Sequence, residues 1–242
     1  IRPLAVAKRP SIPQIDLQKE NFAPERHALD NLNYGNSFNQ LVQIGVVNMH
    51  NKGLHGEGVT LAVLDTGFRK SHEAFAPHYA EGRVLAEYDF IFNDSNTANE
   101  PIDSSIQWDH GTLTWSASGG QSEGDIYGPA FKANFLLAKT EDIRSETPIE
   151  EDNWVAAVEW AGSLGADVLT SSLGYIDWYT YADLNGATAV TTIEANMAAS
   201  MGIVVCNAMG NSGPGSGTLI APADAHDILA VGAVNGAGTL AN

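Results

Sequence analysis

Three polar side chains of the sequence have the types and settings that acid–base chemistry requires. Asp65 ends the apolar run VTLAVLD, His110 lies in DHGT, and Asn211 lies in AMGNSG. A carboxylate beside an imidazole fixes its tautomer and stabilises the imidazolium, which makes the imidazole a general base. A nearby side-chain amide can donate a hydrogen bond to a developing oxyanion. Each residue alone is more often a turn or cap residue, so the hypothesis of a catalytic site rests on their combination.

Short, nearly continuous apolar stretches alternate with helical patterns from about residue 36 onward. The predicted strands are VTLAVLD, RVLAEYDFIF, ANFLLAK, ADVLTSSLG, IVVCNAMG and ILAVGAV. The predicted helices lie in SFNQLVQIGVVNMHNKG, HGTLTWSASGG, EDNWVAAVEWAGSLGAD and ATAVTTIEANMAASMG. Apolar strands between amphipathic helices predict a three-layer α/β fold, with a mostly parallel central sheet and helices on both faces. Ligands bind beyond the carboxyl ends of such strands, where Asp65 and Asn211 stand.

An acidic cluster of Glu150, Glu151 and Asp152 stands at the start of the third predicted helix. Asp152 is expected to cap this helix and Gly165 to end it. Negative charge interacts favourably with a helix N-terminus, so the cluster is predicted to serve the cap and the helix dipole. A weaker interpretation is that it favours basic residues in a substrate.

Composition excludes several classes of function. The net charge is −17, so no basic surface is available to meet nucleic-acid phosphates. Cys206 is the single cysteine, which rules out an internal disulfide. No stretch approaches the roughly 20 apolar residues that span a bilayer. Residues 1–34 are rich in proline and charge, and we interpret them as an extended arm or leader remnant before a domain at 35–242.

The segments GEGVTLAVLDTGF, DHGT, SSLG and AMGNSG…PADAHDILAVGAV together resemble the subtilisin-like serine proteases (peptidase S8, subtilases). The resemblance covers roughly residues 36–242. It implies a serine endopeptidase of subtilisin-like fold that hydrolyses peptide bonds with an Asp–His–Ser triad. At the matching positions Asp65 resembles the triad acid, His110 the general base and Asn211 the oxyanion donor.

The resemblance also implies a substrate-binding region, built from two short segments. One is a strand edge that pairs with an extended peptide, and the other is a wall of the pocket for the side chain before the scissile bond. The strand edge consists of Ser172, Leu173 and Gly174, and the pocket wall consists of Ala208, Met209 and Gly210. Polypeptide substrates, secretion or export to the periplasm, synthesis as a zymogen, and calcium binding follow from the same resemblance. No carboxylate run has calcium-loop spacing, so no metal ligand is predicted.

The nucleophile is the main departure from the family pattern. In the family it lies in a GTS segment after the last strand named above, whereas this sequence ends at GAGTLAN. We therefore expect that the C-terminal part of the domain is missing, that the serine lies beyond residue 242 and that the chain is inactive alone. An apolar surface near ILAVGAV should be exposed, and a separate polypeptide carrying the rest would be a partner.

Two alternatives stay open at this point. The first is a non-catalytic peptide-binding fragment or pseudo-protease of the same fold. Such a protein has no need of Asp65, His110 and Asn211 together, so their presence argues against it. The second is an unrelated α/β enzyme: a nucleotide-binding protein, or a hydrolase using Ser122, whose segment GQSEG fits G-x-S-x-G. Ser122 lacks the strand before it and the helix after it that this motif needs, so chance is the better explanation.

Overall fold

The computed structural model of this chain describes residues 31–240. The helices are α1 (Phe38–Gln43), α2 (Val46–His50), α3 (Ala76–Ala80), α4 (Asp109–Gly119), α5 (Ile149–Ser163) and α6 (Val190–Ser200), with 3-10 turns at Glu73–Phe75 and Tyr181–Asp183. The strands are β1 (Thr60–Asp65), β2 (Val84–Asp89), β3 (Gln121–Ser122), β4 (Ile126–Tyr127), β5 (Asn134–Lys139), β6 (Val168–Ser171), β7 (Val204–Ala208) and β8 (Leu229–Val231). Most of the predicted N-terminal arm, residues 1–30, lies outside the described residues.

Six strands form one sheet in the order β2-β5-β1-β6-β7-β8, and every neighbouring pair is parallel. β1 is central and is buried along its whole length, which explains its unbroken apolar sequence. The short strands β3 and β4 form a separate antiparallel hairpin. The predicted three-layer α/β fold with a mostly parallel sheet is therefore confirmed.

Alternate residues of β1 point to opposite faces of the sheet and join different cores. Ala62 and Leu64 pack in a cluster with residues of α5 and α6, among them Trp154. Leu61 and Val63 pack on the other face with a cluster that contains Trp115 of α4. Trp115 is fully buried. Helices on both faces thus hold β1, and with it Asp65, in a fixed position.

Two predicted helices differ in detail. The first is divided into α1 and α2 at Gly45, whose φ of 77° is left-handed and breaks the helical path. α5 begins at Ile149 after Pro148, so Asp152 lies inside the first turn and is not the cap. The end of this helix matches the prediction, because Gly165 adopts a φ of 82° just after it.

β8 forms one edge of the sheet and carries apolar side chains at the surface. Leu229 and Val231 are each 56% exposed, as predicted for the surface near ILAVGAV. None of the helices in the described part of the chain is long and apolar enough to cross a bilayer.

Candidate active site

Asp65 and His110 meet at the carboxyl edge of the sheet, although 45 positions separate them. Asp65 is the last residue of β1 and is fully buried, whereas His110 is the second residue of α4. The Nδ1 atom of His110 lies 2.7 Å from Oδ1 of Asp65. The carboxylate accepts this hydrogen bond from the ring and leaves Nε2 without a hydrogen-bond partner in residues 31–240. This arrangement suits a general base.

Two further donors hold the Asp65 carboxylate. The Thr66 amide donates to Oδ1 over 2.7 Å, and the Thr114 hydroxyl donates to Oδ2 over 2.8 Å. Thr114 lies four residues after His110, on the same face of α4. Sequence reasoning missed Thr114, although its spacing from His110 is a signal that could have identified it. With these contacts the carboxylate keeps one rotamer and one orientation toward the imidazole.

Glycines allow α4 to approach the end of β1 closely. A Cβ atom at Gly111 would collide with the carbonyl oxygen of Gly67. Gly67 itself has a φ of 120°, where an L side chain would be strained. The Gly111 amide donates to the Thr66 hydroxyl at 3.1 Å. The glycines of DTG and DHGT therefore let the two motifs come into contact.

The electrostatics of the pair favour a protonatable imidazole. The hydrogen bond to Asp65 raises the pKa of His110 above its usual value, and the charge of Asp65 acts in the same direction. Partial burial opposes this shift because it disfavours the imidazolium. The His110 side chain is 47% exposed, so a substrate can reach it.

A buried lysine bridges two carboxylates beside the site. Lys139 pairs with Asp65 in the β1–β5 register, and its Nζ lies 2.8 Å from both Asp89 Oδ2 and Asp103 Oδ2. All three side chains are fully buried. Buried charges need such compensation, so Lys139 fixes the loop after β2 against the end of β5.

Asn211 lies at the same edge of the sheet, three residues after β7, and is exposed. In the described part of the chain no hydrogen bond joins it to Asp65 or His110. It lines a pocket of about 330 Å³ together with Met209 and Gly210. Ala208 is not among the residues that line this pocket.

The segment Ser172–Gly174 follows β6 at the same edge. Ser172 is exposed, whereas the Leu173 side chain packs in the core. The Asn207 side chain donates to the Leu173 carbonyl oxygen at 3.0 Å. At Gly174 a Cβ atom would displace the Ile220 side chain and lie 3.0 Å from the Ala221 carbonyl oxygen, so the backbone here packs closely against the segment that contains both residues.

Ser122 lies outside this arrangement. It follows α4 and forms the β3–β4 hairpin, where it pairs with Ile126. Ser122 ends the two-residue strand β3, and a hairpin turn and β4 follow it instead of a helix, so the strand–turn–helix setting of a G-x-S-x-G nucleophile is absent at this position.

The acidic cluster at α5 differs from its prediction, because two of its members are buried. Glu151 accepts hydrogen bonds from Trp178, Tyr179 and Thr191, which connect α5 to α6 and to the loop after β6. Glu150 accepts one from the Thr147 amide. Asp152 alone is exposed. The side chain of Glu151 therefore binds neighbouring elements together and does not serve mainly the helix dipole.

The sheet and the acid–imidazole pair at its carboxyl edge define a subtilisin-like α/β protein. The model of the Subtilase family (Peptidase_S8) matches residues 56–242, and the chain belongs to this family. The predicted family resemblance is confirmed.

Several relatives are similar in sequence over most of the chain. Serine protease AprX of Bacillus subtilis is 32% identical over 190 residues, which are 75% of this chain and 39% of AprX. Subtilisin E of the same organism is 29% identical, covering 80% of this chain and 45% of the relative. The Minor extracellular protease Vpr, also of Bacillus subtilis, is 30% identical over 78% of this chain and 22% of Vpr. The chain thus spans less than half the length of these curated relatives.

Solved structures agree with this assignment. Sphericase superposes with a TM-score of 0.57 at 25% identity, over 77% of this chain and 57% of that chain. The Clostridium perfringens CspB protease superposes with a TM-score of 0.51 at 25% identity, over 67% of this chain and 38% of that chain.

Proposed function

We propose that this chain is the acid–base half of a serine endopeptidase of subtilisin type, whose nucleophilic serine lies on sequence beyond residue 242. The observation that carries the proposal is the 2.7 Å hydrogen bond between buried Asp65 and half-exposed His110 at the carboxyl edge of the sheet. Membership of the Subtilase family supports a serine protease as the class of enzyme.

In the proposed reaction the serine hydroxyl attacks the peptide carbonyl carbon while Nε2 of His110 takes the hydroxyl proton. Asp65 stabilises the imidazolium so formed, and His110 then protonates the leaving amine. Water repeats the sequence on the acyl-enzyme, with His110 again as the base. Asn211 donates a hydrogen bond to the oxyanion in both steps, an interaction that typically contributes about 10²- to 10³-fold in rate.

The substrate would lie along two segments at this edge. Ser172–Gly174 offers backbone groups just beyond β6 for pairing with an extended peptide. The pocket beside Met209 and Asn211 would take the side chain before the scissile bond, and its apolar lining suits an uncharged residue. As in secreted members of the family, we propose synthesis as a zymogen and action outside the cytoplasm.

A fluorophosphonate probe tests this proposal on the full-length protein. Such a probe reacts only with an activated nucleophile, and mass spectrometry of the digested adduct identifies the modified residue. We expect one adduct, on a serine after residue 242, and its loss in His110→Ala. The Ser122→Ala variant is the matched control and should label like the wild type.

Other labelling patterns would contradict the proposal. Loss of the adduct in Ser122→Ala would indicate an unrelated hydrolase. A folded, unlabelled full-length protein that binds peptides without cleaving them would indicate the alternative, a non-catalytic member of the same fold.

A further inference from the structure

Gln107 is a fully buried polar residue that lies just before α4, three positions before His110. Its side-chain amide donates to the Thr66 carbonyl oxygen over 2.7 Å and to the Glu141 carbonyl oxygen over 2.6 Å. Its Oε1 atom accepts a hydrogen bond from the Ile143 amide at 3.1 Å. A side-chain amide offers two N–H donors and one carbonyl oxygen, so both donors and the acceptor are in use.

These contacts join the continuations of two neighbouring strands, β1 and β5. The strands are paired up to their last residues, and just beyond them the Thr140 amide donates to the Asp65 carbonyl oxygen at 2.9 Å. Thr66 and Glu141 come next along the two chains, and the carbonyl oxygen of each accepts from Gln107. The amide of Gln107 therefore does beyond the strand ends what strand-to-strand hydrogen bonds do within the sheet.

Thr66 transmits this restraint to the acid–imidazole pair. Its amide donates over 2.7 Å to Oδ1 of Asp65, the same oxygen that faces Nδ1 of His110. Its hydroxyl accepts from the Gly111 amide, in the first turn of α4. Movement of Thr66 would therefore change both the orientation of the carboxylate and its distance from α4.

We propose that Gln107 is a positioning residue for the acid–imidazole pair. It fixes Thr66, and Thr66 in turn holds the Asp65 carboxylate toward the imidazole. A buried amide is costly unless its hydrogen bonds are made, and an apolar side chain of similar size could fill this space without that requirement. The inference rests on the proposed function for any effect on peptide cleavage, whereas its effect on the hydrogen bond between Asp65 and His110 exists without cleavage.

Gln107→Met tests the proposal, because methionine is similar in length and flexible but offers no N–H donor and only a weak acceptor. The Thr66 segment then loses its restraint, and a displacement of ~1 Å can cost about 10²-fold in rate. We expect kcat for a fluorogenic peptide to fall by about 10- to 10²-fold in the full-length protein. KM should stay unchanged, because Gln107 contacts the segment after Asp65 and the loop after β5.

A second measurement reports on the carboxylate without peptide cleavage. NMR titration of isotope-labelled histidine in the full-length protein gives the pKa of His110, with His110→Ala to assign the signal. Replacing any serine that the fluorophosphonate labels with alanine prevents autolysis during this titration. The hydrogen bond to Asp65 raises the pKa of His110, so this pKa should fall toward its ordinary value in Gln107→Met. Gln107 is uncharged, so such a shift reports geometry and not a lost charge.

Asn196→Leu is the matched control, because the Asn196 side chain also bridges two loops. It donates to the Gly186 carbonyl oxygen and accepts from the His226 amide, at 2.9 and 2.8 Å. This variant should lower Tm and leave kcat and the pKa of His110 unchanged. Gln107→Asn keeps the amide on a shorter side chain and should give intermediate values, so it keeps the test decisive if Gln107→Met misfolds.

Several results would overturn the proposal. One is an unchanged pKa of His110 in Gln107→Met and Gln107→Asn. Another is a raised KM at constant kcat, which would assign Gln107 to substrate binding. Equal losses in Asn196→Leu would show that the effect is one of stability alone. A lowered pKa of His110 in a protein that cleaves no peptide would support the positioning role and contradict only the proposed function.

Discussion

Replacing Asp65 with asparagine tests whether the charge of this carboxylate supports catalysis separately from its shape. The Thr66 amide and His110 Nδ1 both face Oδ1, so the variant should place its amide oxygen there. The Thr114 hydroxyl can then accept from the new amide group while donating to the Gly111 carbonyl oxygen, 3.1 Å away. Asp65→Asn therefore keeps the imidazole tautomer and loses only the negative charge.

The expected loss follows from the interaction between that charge and the imidazolium. With the charge centres about 4 Å apart and an effective dielectric constant of ~20, the attraction is about 4 kcal/mol. This free energy corresponds to about 10³-fold in rate. Because the His110 side chain is 47% exposed, solvent screens part of it, and we expect kcat to fall by about 10²- to 10³-fold.

The assay is hydrolysis of a fluorogenic peptide by the full-length protein as a function of pH. The wild type should lose activity as pH falls through the pKa of His110, which Asp65 raises. In Asp65→Asn this acid limb should move to lower pH. Asp109→Asn removes an exposed carboxylate next to His110 and is the matched control. A loss below tenfold, or an equal loss in Asp109→Asn, would refute the role of the charge.

Three further predictions concern stability and association. Lys139→Met should lower the free energy of unfolding in urea by about 3–5 kcal/mol, because it leaves two buried carboxylates without their cation; a change below about 1 kcal/mol would contradict this. Burial lowers the pKa of His78 to about 4, so the folded state holds it neutral, and stability should fall by up to about 3 kcal/mol as pH drops from about 6.5 to 4. His78→Gln should flatten this dependence of stability on pH, and parallel pH profiles of the variant and the wild type would contradict the role of His78. Residues 1–242 alone should self-associate through the apolar surface of β8; a monodisperse monomer in sedimentation would argue otherwise.

Local sequence patterns were sufficient for the architecture. A strand buried on both faces must be apolar throughout, and a helix on the sheet must repeat its apolar residues every three or four positions, so β1, β5 and α5 could be located from the sequence. The same logic placed Asp65 at the carboxyl edge of the sheet. Helix starts were less certain, since Pro148 and Asp152 both suit the beginning of α5 and only packing selects between them.

The types of residue at the candidate site were readable in the sequence, but their partners were not. DTG and DHGT identify Asp65 and His110, because the glycines beside them are required for close approach. Hydrogen bonds and ion pairs form between residues far apart in the chain, so they depend on the way the sheet brings its edges together. The position of Lys139 between two carboxylates was decided by tertiary structure alone, because burial and ion pairing arise only once the strands and helices have packed.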